Sequence, residues 1–408
     1  MTSDQDRPRI SVVIPTYNRC DMLRTTLEHL TRQQLPAAEF EVIVADDGSS
    51  DATAEVVQSF ADRLRVKYHF QEDLGFRAGT ARNAGAALAT APILFFLDTG
   101  PLFGTDLLLR HLAAHGQDTE RRAVIGYAHG YSPEKDTSWV TEAVERLGPE
   151  ETVARYADDP DFRDVRHEQL MNVKAGTDLL PWRLFWTINC SLRLADFRAV
   201  GGFDERFHGW GGEDTELGFR LSRHGVRFEV VEDAWVVDLP HEREQFDLWE
   251  QFAQNMLHFL AEHREPVVEI GWALAVKHLF ISYEEDYRAL VEWQERARDT
   301  DVAAELAEAV RHLPPGAKIA VLGAGAEIPA AVPPAALLDF DAALLAKATA
   351  SGRHTGHHTM GLRTALPDQS VDAVIVTSRM AGLWDRWRNE LLAEARRIGR
   401  EVRVPDGF

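Results

Sequence analysis

The first hundred residues or so alternate short apolar, β-branched runs with amphipathic stretches, and each apolar run ends in polar residues. Ile10 to Pro15, Glu41 to Ala45, Val66 to Phe70 and Ile93 to Leu97 predict strands. Between them, Asp21 to Leu30 carries Met22, Leu23, Leu27 and Leu30 at helical spacing, with Asp21 placed to cap the helix. Asp51 to Phe60 and Thr80 to Leu88 predict two further helices. Strand–helix alternation of this kind dictates a Rossmann-like α/β fold, a mainly parallel sheet with helices on both faces. Ligands of such sheets sit at the carboxyl ends of the strands. Thr16 to Arg19, Asp46-Asp47 and Asp98 fall at those ends.

The chain has 408 residues, room for two or three cores, and its formal net charge is −21. That charge argues against nucleic acid and against an anionic membrane surface as partner. Two cysteines, Cys20 and Cys190, make no disulfide framework. The start, Met1 to Asp6, is polar, and no run reaches the roughly 18 apolar residues of a membrane span. Together these point to a cytoplasmic protein without an integral membrane span, in which homo-oligomerisation stays open.

Residues 1–245 read as the first domain, with a looser, partly helical stretch from about 105 to 185 and a strand at Phe228 to Val231. Residues 246–312 read as a helical extension. Leu313-Pro314-Pro315-Gly316 marks a boundary, and residues 313–408 read as a small Rossmann-like α/β unit with strands at Lys318 to Leu322, Ala335 to Phe340 and Ala373 to Thr377.

Several clusters can carry chemistry. An acidic pair at a strand end, Asp46-Asp47, can accept hydrogen bonds from a base or from ribose hydroxyls, though a turn with no ligand explains it equally well. Arg77 and Arg82, near a helix start, supply the positive charge a diphosphate needs, or are incidental surface arginines. Asp98 ends a buried strand and requires a partner, such as a divalent cation, unless it merely makes a turn. The sharpest local signal is Gly209-Trp210-Gly211-Gly212-Glu213-Asp214, a glycine-rich turn whose two acids open a helix. One acid can take a proton from an incoming hydroxyl or amine, and the tryptophan can present its face to a sugar ring. Alone, the turn reads equally as a helix start with acids complementing the dipole. His241, just past a strand, is a candidate metal ligand, although a lone histidine is more often structural.

In combination and order these pieces resemble family 2 glycosyltransferases of the GT-A fold. Val12 to Arg19, Val44 to Asp51, Gly75 to Gly79, Ala81-Arg82-Asn83 and Gly209 to Asp214 are similar to the chondroitin-polymerase and polypeptide N-acetylgalactosaminyltransferase branch. The resemblance spans roughly residues 8–245 and implies inverting transfer of a hexose or N-acetylhexosamine from a UDP-sugar. It places Asp46 and Asp47 on the uridine, with Pro15, Thr16, Tyr17 and Arg19 lining its pocket. Arg77, Arg82 and Asn83 fall near the diphosphate and donor. Trp210, Gly212 and Glu213 hold the sugars, and Asp214 is the general base. Asp98 and His241 become ligands of Mn²⁺ or Mg²⁺. One departure matters: after Asp98 the family usually carries a second acid or a histidine two residues on, and here Gly100 stands there. The metal is therefore expected to be weakly held or dispensable. The acceptor is a small molecule, of the kind found in secondary metabolism, or a group on a carrier protein.

The last unit resembles part of a class I methyltransferase through Val321 to Glu327, Leu338-Asp339-Phe340 and Asp372 to Val376. A lone glycine loop is a weak signal, and S-adenosylmethionine is not the expected cofactor. A nucleotide-sugar binder without activity and a bifunctional transferase–methyltransferase are the competing readings.

Overall fold

The computed structural model describes residues 7–116, 120–130, 137–239 and 248–405. The chain divides into two compact units, Met1–Gln251 and Phe252–Phe408.

The first unit is built on β1 (Ile10–Thr16), β2 (Phe40–Asp46), β3 (Val66–Phe70), β4 (Ile93–Leu97), β5 (Leu102–Phe103), β6 (Arg122–His129), β7 (Asn189–Arg193) and β8 (Arg227–Val237). They form one sheet in the order β3-β2-β1-β4-β7-β6-β8-β5. The pairings β1–β2, β1–β4, β2–β3 and β6–β8 are parallel. β7 runs antiparallel between β4 and β6, and β5 antiparallel to β8. The sheet is thus a mainly parallel α/β sheet, as the alternation requires, with the reversal confined to strands beyond β4. β1, β2 and β4 are apolar along almost their whole length because helices bury both faces, and their side chains form the core with those of the flanking helices.

The early helices run Cys20–Thr31, Thr53–Gln58 and Ala78–Ala87. Asp21 lies inside the first turn and caps nothing. Asp51 serves two helix starts at once: its Oδ2 accepts from the Cys20 N–H at 2.9 Å and its Oδ1 from the Thr53 N–H at 3.1 Å. The stretch after residue 105 is helical at Leu107–His115, Ser138–Leu147, Pro149–Tyr156 and His167–Lys174, but it also contains β6, which the sequence reading did not anticipate.

A polar network lies buried under β6 and β7. Asn189 donates from Nδ2 to the carbonyls of Ala234 and Tyr127 at 2.8 and 3.1 Å, so its Oδ1 is the acceptor facing His111 Nε2 at 2.9 Å. His111 Nδ1 must then accept from the Ser191 hydroxyl at 2.8 Å, and His115 Nε2 donates to that same oxygen at 2.9 Å. Both rings are neutral in this scheme. Burial pushes His111 down to about 4, His115 to about 3 and the nearby His129 to about 4. These folded values lie below the unfolded 6.5, so the unfolded chain binds more protons in acid. The stability these rings contribute is therefore complete above pH 6.5 and lost as pH falls toward 4, by up to about 1.4 kcal/mol per pH unit for each ring. Asp214 and Glu269, whose carboxyls burial raises to about 7, gain protons on folding over the same range and offset part of the loss. Thermal unfolding between pH 7.5 and pH 5 checks this: the midpoint should decline below about pH 6.5, and less steeply than the three rings alone dictate.

The second unit begins within the helix Leu248–Glu262 and continues with helices Pro266–Val276, Tyr283–Ala297 and Ala303–Val310. Its sheet consists of β9 (Ile319–Leu322), β10 (Ala335–Asp339), β11 (Thr355–His358), β12 (Val371–Val376) and β13 (Gly399–Arg403), in the order β11-β10-β9-β12-β13. All four pairings are parallel, which makes this a Rossmann-like sheet of doubly wound topology. At its carboxyl edge the chain's own side chains fill the polar positions. Asp339, fully buried, accepts from the Gly325 N–H at 2.8 Å and pairs at 3.1 Å through both oxygens with the equally buried Arg379.

Glu269 is a second such group. Its carboxylate accepts from the backbone N–H groups of Met360, Gly361, Leu362 and Arg363 at 2.5–3.0 Å and from the Thr359 hydroxyl at 2.8 Å. The loop after β11 is wrapped around one buried oxyanion. Glu269→Gln presents an N–H₂ to a ring of donors, and the expected cost is about 3–5 kcal/mol. Calorimetric unfolding should show the transition of this unit moving to lower temperature.

Candidate active site

The carboxyl ends of β1, β2 and β4 converge, and two loops lock together above them. Asn18 donates its backbone N–H to the Ser49 hydroxyl at 2.8 Å and accepts from the Ser50 N–H at 2.8 Å through Oδ1. The Asp47 N–H donates to the Thr16 carbonyl at 2.9 Å, and Thr99 donates to the Pro15 carbonyl at 2.8 Å. Pro15 and Thr16 are thus placed by backbone contacts, and the buried Thr16 hydroxyl has no partner. Tyr17 is exposed and donates to Asp73 at 2.9 Å, while Arg19 is half-buried beside Met22.

The two acids after β2 divide their work. Asp46 is fully buried: its Oδ1 accepts from the N–H groups of Gly48 and Ser49 in the turn, and its Oδ2 from the Tyr68 hydroxyl of β3 at 2.6 Å. Asp47 accepts from Gln71 Nε2 at 2.5 Å and from the Arg77 N–H at 2.8 Å, with the Arg77 guanidinium 3.5 Å away. Gln71 and Asp73 escaped the sequence reading. The signal that marks them is polarity immediately after the carboxyl end of edge strand β3.

The centre of the site is Arg82, which is 5% exposed. Its guanidinium donates to Asp98 Oδ1 at 2.9 Å and to Glu213 Oε1 at 3.1 Å, with the Phe203 ring beside it. One arginine therefore joins the end of β4 to the start of the helix Glu213–Arg223. Asp98 is partly exposed, whereas Glu213 is buried with its Oε2 unpaired. Asn83 turns the other way. It donates to the Phe203 carbonyl and to Glu205, both at 2.9 Å, and accepts from the Phe203 N–H at 2.8 Å. It anchors the loop that follows Gly202.

The acidic turn gets its shape from Gly212, whose φ of +94° is a left-handed conformation that any side chain would strain. That residue reverses the chain and starts the helix with Glu213 and Asp214 in its first turn. The Trp210 backbone is held by Gln251 at 2.9 Å. Asp214 accepts from the Thr215 N–H at 2.7 Å and is half-buried. Burial and the neighbouring Glu213 charge push its carboxyl up to about 7, against the pull of Arg82. A carboxylate poised near neutrality is suited to accept a proton.

Among the described residues no three His, Cys, Asp or Glu side chains come together to hold an ion, and His241 lies outside the described residues. Gly100 has φ +119° and turns toward the helix Cys20–Thr31, donating its N–H to the Thr26 hydroxyl at 3.0 Å. A Cβ at this position would meet Met22 Cε at 2.3 Å. An acid at residue 100 would strain the backbone, because φ +119° disfavours any side chain, and the flexible end of Met22 would have to move aside. Asp98 itself is already paired with Arg82.

Among the described residues no helix is long and apolar enough to cross a membrane. A family model described as glycosyl transferase family 2 matches residues 11–176, and one described as N-terminal domain of galactosyltransferase matches residues 177–242. The chain is 42% identical over 409 residues to validoxylamine A glucosyltransferase of Streptomyces hygroscopicus subsp. limoneus, covering 98% of this chain and 90% of the relative. It is 32% identical over 238 residues to chondroitin synthase of Escherichia coli, covering 55% of this chain and 34% of that protein. Among solved structures, the mannosyltransferase PcManGT from Pyrobaculum calidifontis in complex with GDP-Man and Mn²⁺ is 20% identical with a TM-score of 0.47, covering 74% of this chain and 80% of that one. The first unit carries both matching segments, the relative spans nearly the whole chain, and the chain belongs to glycosyl transferase family 2: it is a glycosyltransferase.

Proposed function

We propose that this enzyme moves a hexosyl group, glucose first among the candidates, from a UDP-sugar to a hydroxyl or amine of a small polyhydroxylated acceptor, with inversion at the anomeric carbon. The observation that carries this reading is the Arg82 bridge. It ties Asp98, at the end of β4, to Glu213, at the start of the helix Glu213–Arg223, with Asp214 next to Glu213, and in this reading Asp98 faces the donor and Glu213 the acceptor. The name of the 42% identical relative supports glucose and a small acceptor akin to validoxylamine A.

In this reading Asp47, Tyr17 and the Arg77 backbone frame the nucleoside, and Asp46 keeps the turn in shape. Asp214 accepts the acceptor proton as the new C–O or C–N bond forms and the bond to the UDP oxygen breaks. Glu213 orients a sugar hydroxyl, and Arg82 positions both acids. The described residues supply no metal set, so no step is assigned to an ion. Rate enhancement comes from positioning and from a base held partly out of water.

A base with a raised pKa must be deprotonated to work. The expected kcat/KM rises about tenfold per pH unit below pH 7 and levels off above it, as a pH–rate profile with a fixed UDP-sugar will show. The function itself is tested by UDP release from UDP-glucose, UDP-galactose and UDP-N-acetylglucosamine with validoxylamine A and simple polyols as acceptors. Acceptor-dependent release supports it. UDP binding with no release on any pair would leave a nucleotide-sugar binder instead.

A further inference from the structure

The segment from Gln71 to Arg77 lies between the two halves of the site and is pinned to both. Gln71 and the Arg77 N–H hold Asp47, and Tyr17 holds Asp73. At the other side the Phe76 carbonyl accepts from the Gly209 N–H at 3.2 Å, the first residue of the acidic turn. On this tethered backbone Leu74 and Phe76 are 66% and 54% exposed. Two large apolar side chains on a backbone tethered at both ends of a site offer a preformed contact surface there. Its ordering is already complete before a ligand arrives, so little further entropy is lost on contact.

We propose that Phe76 is a specificity-determining residue for the acceptor, its ring forming a platform for the C–H face of a saturated, polyhydroxylated ring. The occupant is the acceptor because Phe76 is fastened to the turn that carries Glu213 and Asp214, whereas the nucleoside side of the segment is served by Gln71, Asp73 and Arg77. Polyhydroxylated rings offer an apolar face and polar edges. An aromatic ring beneath them and carboxylates beside them match both, in the way pockets combine apolar walls with a few placed polar groups. The inference rests on the transferase reading above.

The test compares Phe76→Ala and Phe76→Tyr with the wild-type full chain. Wild-type turnover with an acceptor establishes the reading first, and its absence would count against that reading and not against Phe76. Given turnover, Phe76→Ala should raise the acceptor KM about tenfold or more while the calorimetric UDP affinity stays within about twofold. Phe76→Tyr should restore the acceptor KM. Loss of UDP affinity with an unchanged acceptor KM would assign the ring to the donor and overturn the proposal, as would no change in either quantity.

Discussion

Asp214→Asn is expected to reduce kcat by roughly a hundred- to ten-thousand-fold while leaving the fold and UDP affinity intact. The substitution keeps size and shape and removes only the ability to take a proton. The Thr215 N–H that Asp214 accepts at 2.7 Å can still donate to an amide oxygen, so the helix start should hold. The raised pKa sharpens the expectation, because a carboxyl near 7 is a far stronger base than an exposed one near 4. Steady-state rates of sugar transfer, with thermal unfolding as control, check the result. A variant that turns over at the wild-type rate would remove Asp214 from the chemistry.

Arg82→Met is expected to be severe in a different way. Arg82 is buried, and its removal strands Glu213 without a counter-charge while Asp98 loses the partner that holds it. Breaking a buried pair from one side costs about 3–5 kcal/mol, so the melting temperature of the first unit should fall by several degrees. Activity should fall as well, because Asp98 and Glu213 no longer share one anchor. Arg82 also pulls the Asp214 carboxyl down, so its loss raises that pKa further. The rising limb of the pH–rate profile should accordingly move to higher pH in any residual activity. Arg82→Lys keeps the charge but cannot donate to two carboxylates through one planar fork, and it should recover stability in part and rate poorly. A purely structural arginine would lower the melting temperature and leave the pH profile in place.

Much of the first unit was legible because its order is local. β1 to β4 are continuous apolar runs, buried on both faces, and their polar ends coincide with the opening of the site. The strands beyond β4 were harder for a physical reason. β6 and β7 are buried by distant partners, and β7 is only five residues, Asn189–Arg193, polar at several positions because Asn189 and Ser191 serve the histidine network. No local pattern announces that pairing.

The site shows the same division. Asp46-Asp47 and Glu213-Asp214 stood out as residue types, but their separate duties did not. That Asp46 is spent on its own turn and on Tyr68, and Asp47 on Gln71 and Arg77, depends on the edge strand folding back over them. The resemblance places Asn83 near the donor; the fold adds that its amide is bonded to Phe203 and Glu205 and anchors their loop. In the sequence Gly100 stands out only as a missing ligand; the backbone adds that its φ of +119° disfavours any side chain there. In the second unit the glycine loop was visible, but not the buried Arg379 that pairs with Asp339 beside it, since no sequence spacing links residues so far apart.

In the function proposed above, the Asp98–Arg82–Glu213–Asp214 cluster performs an inverting sugar transfer from a UDP-sugar to a small acceptor. Nuclear magnetic resonance of the product formed from α-linked UDP-glucose tests it most directly. One β-linked glucoside per UDP released is expected, with formation blocked in Asp214→Asn. An α-linked product, or UDP-glucose consumed only by hydrolysis, would contradict it.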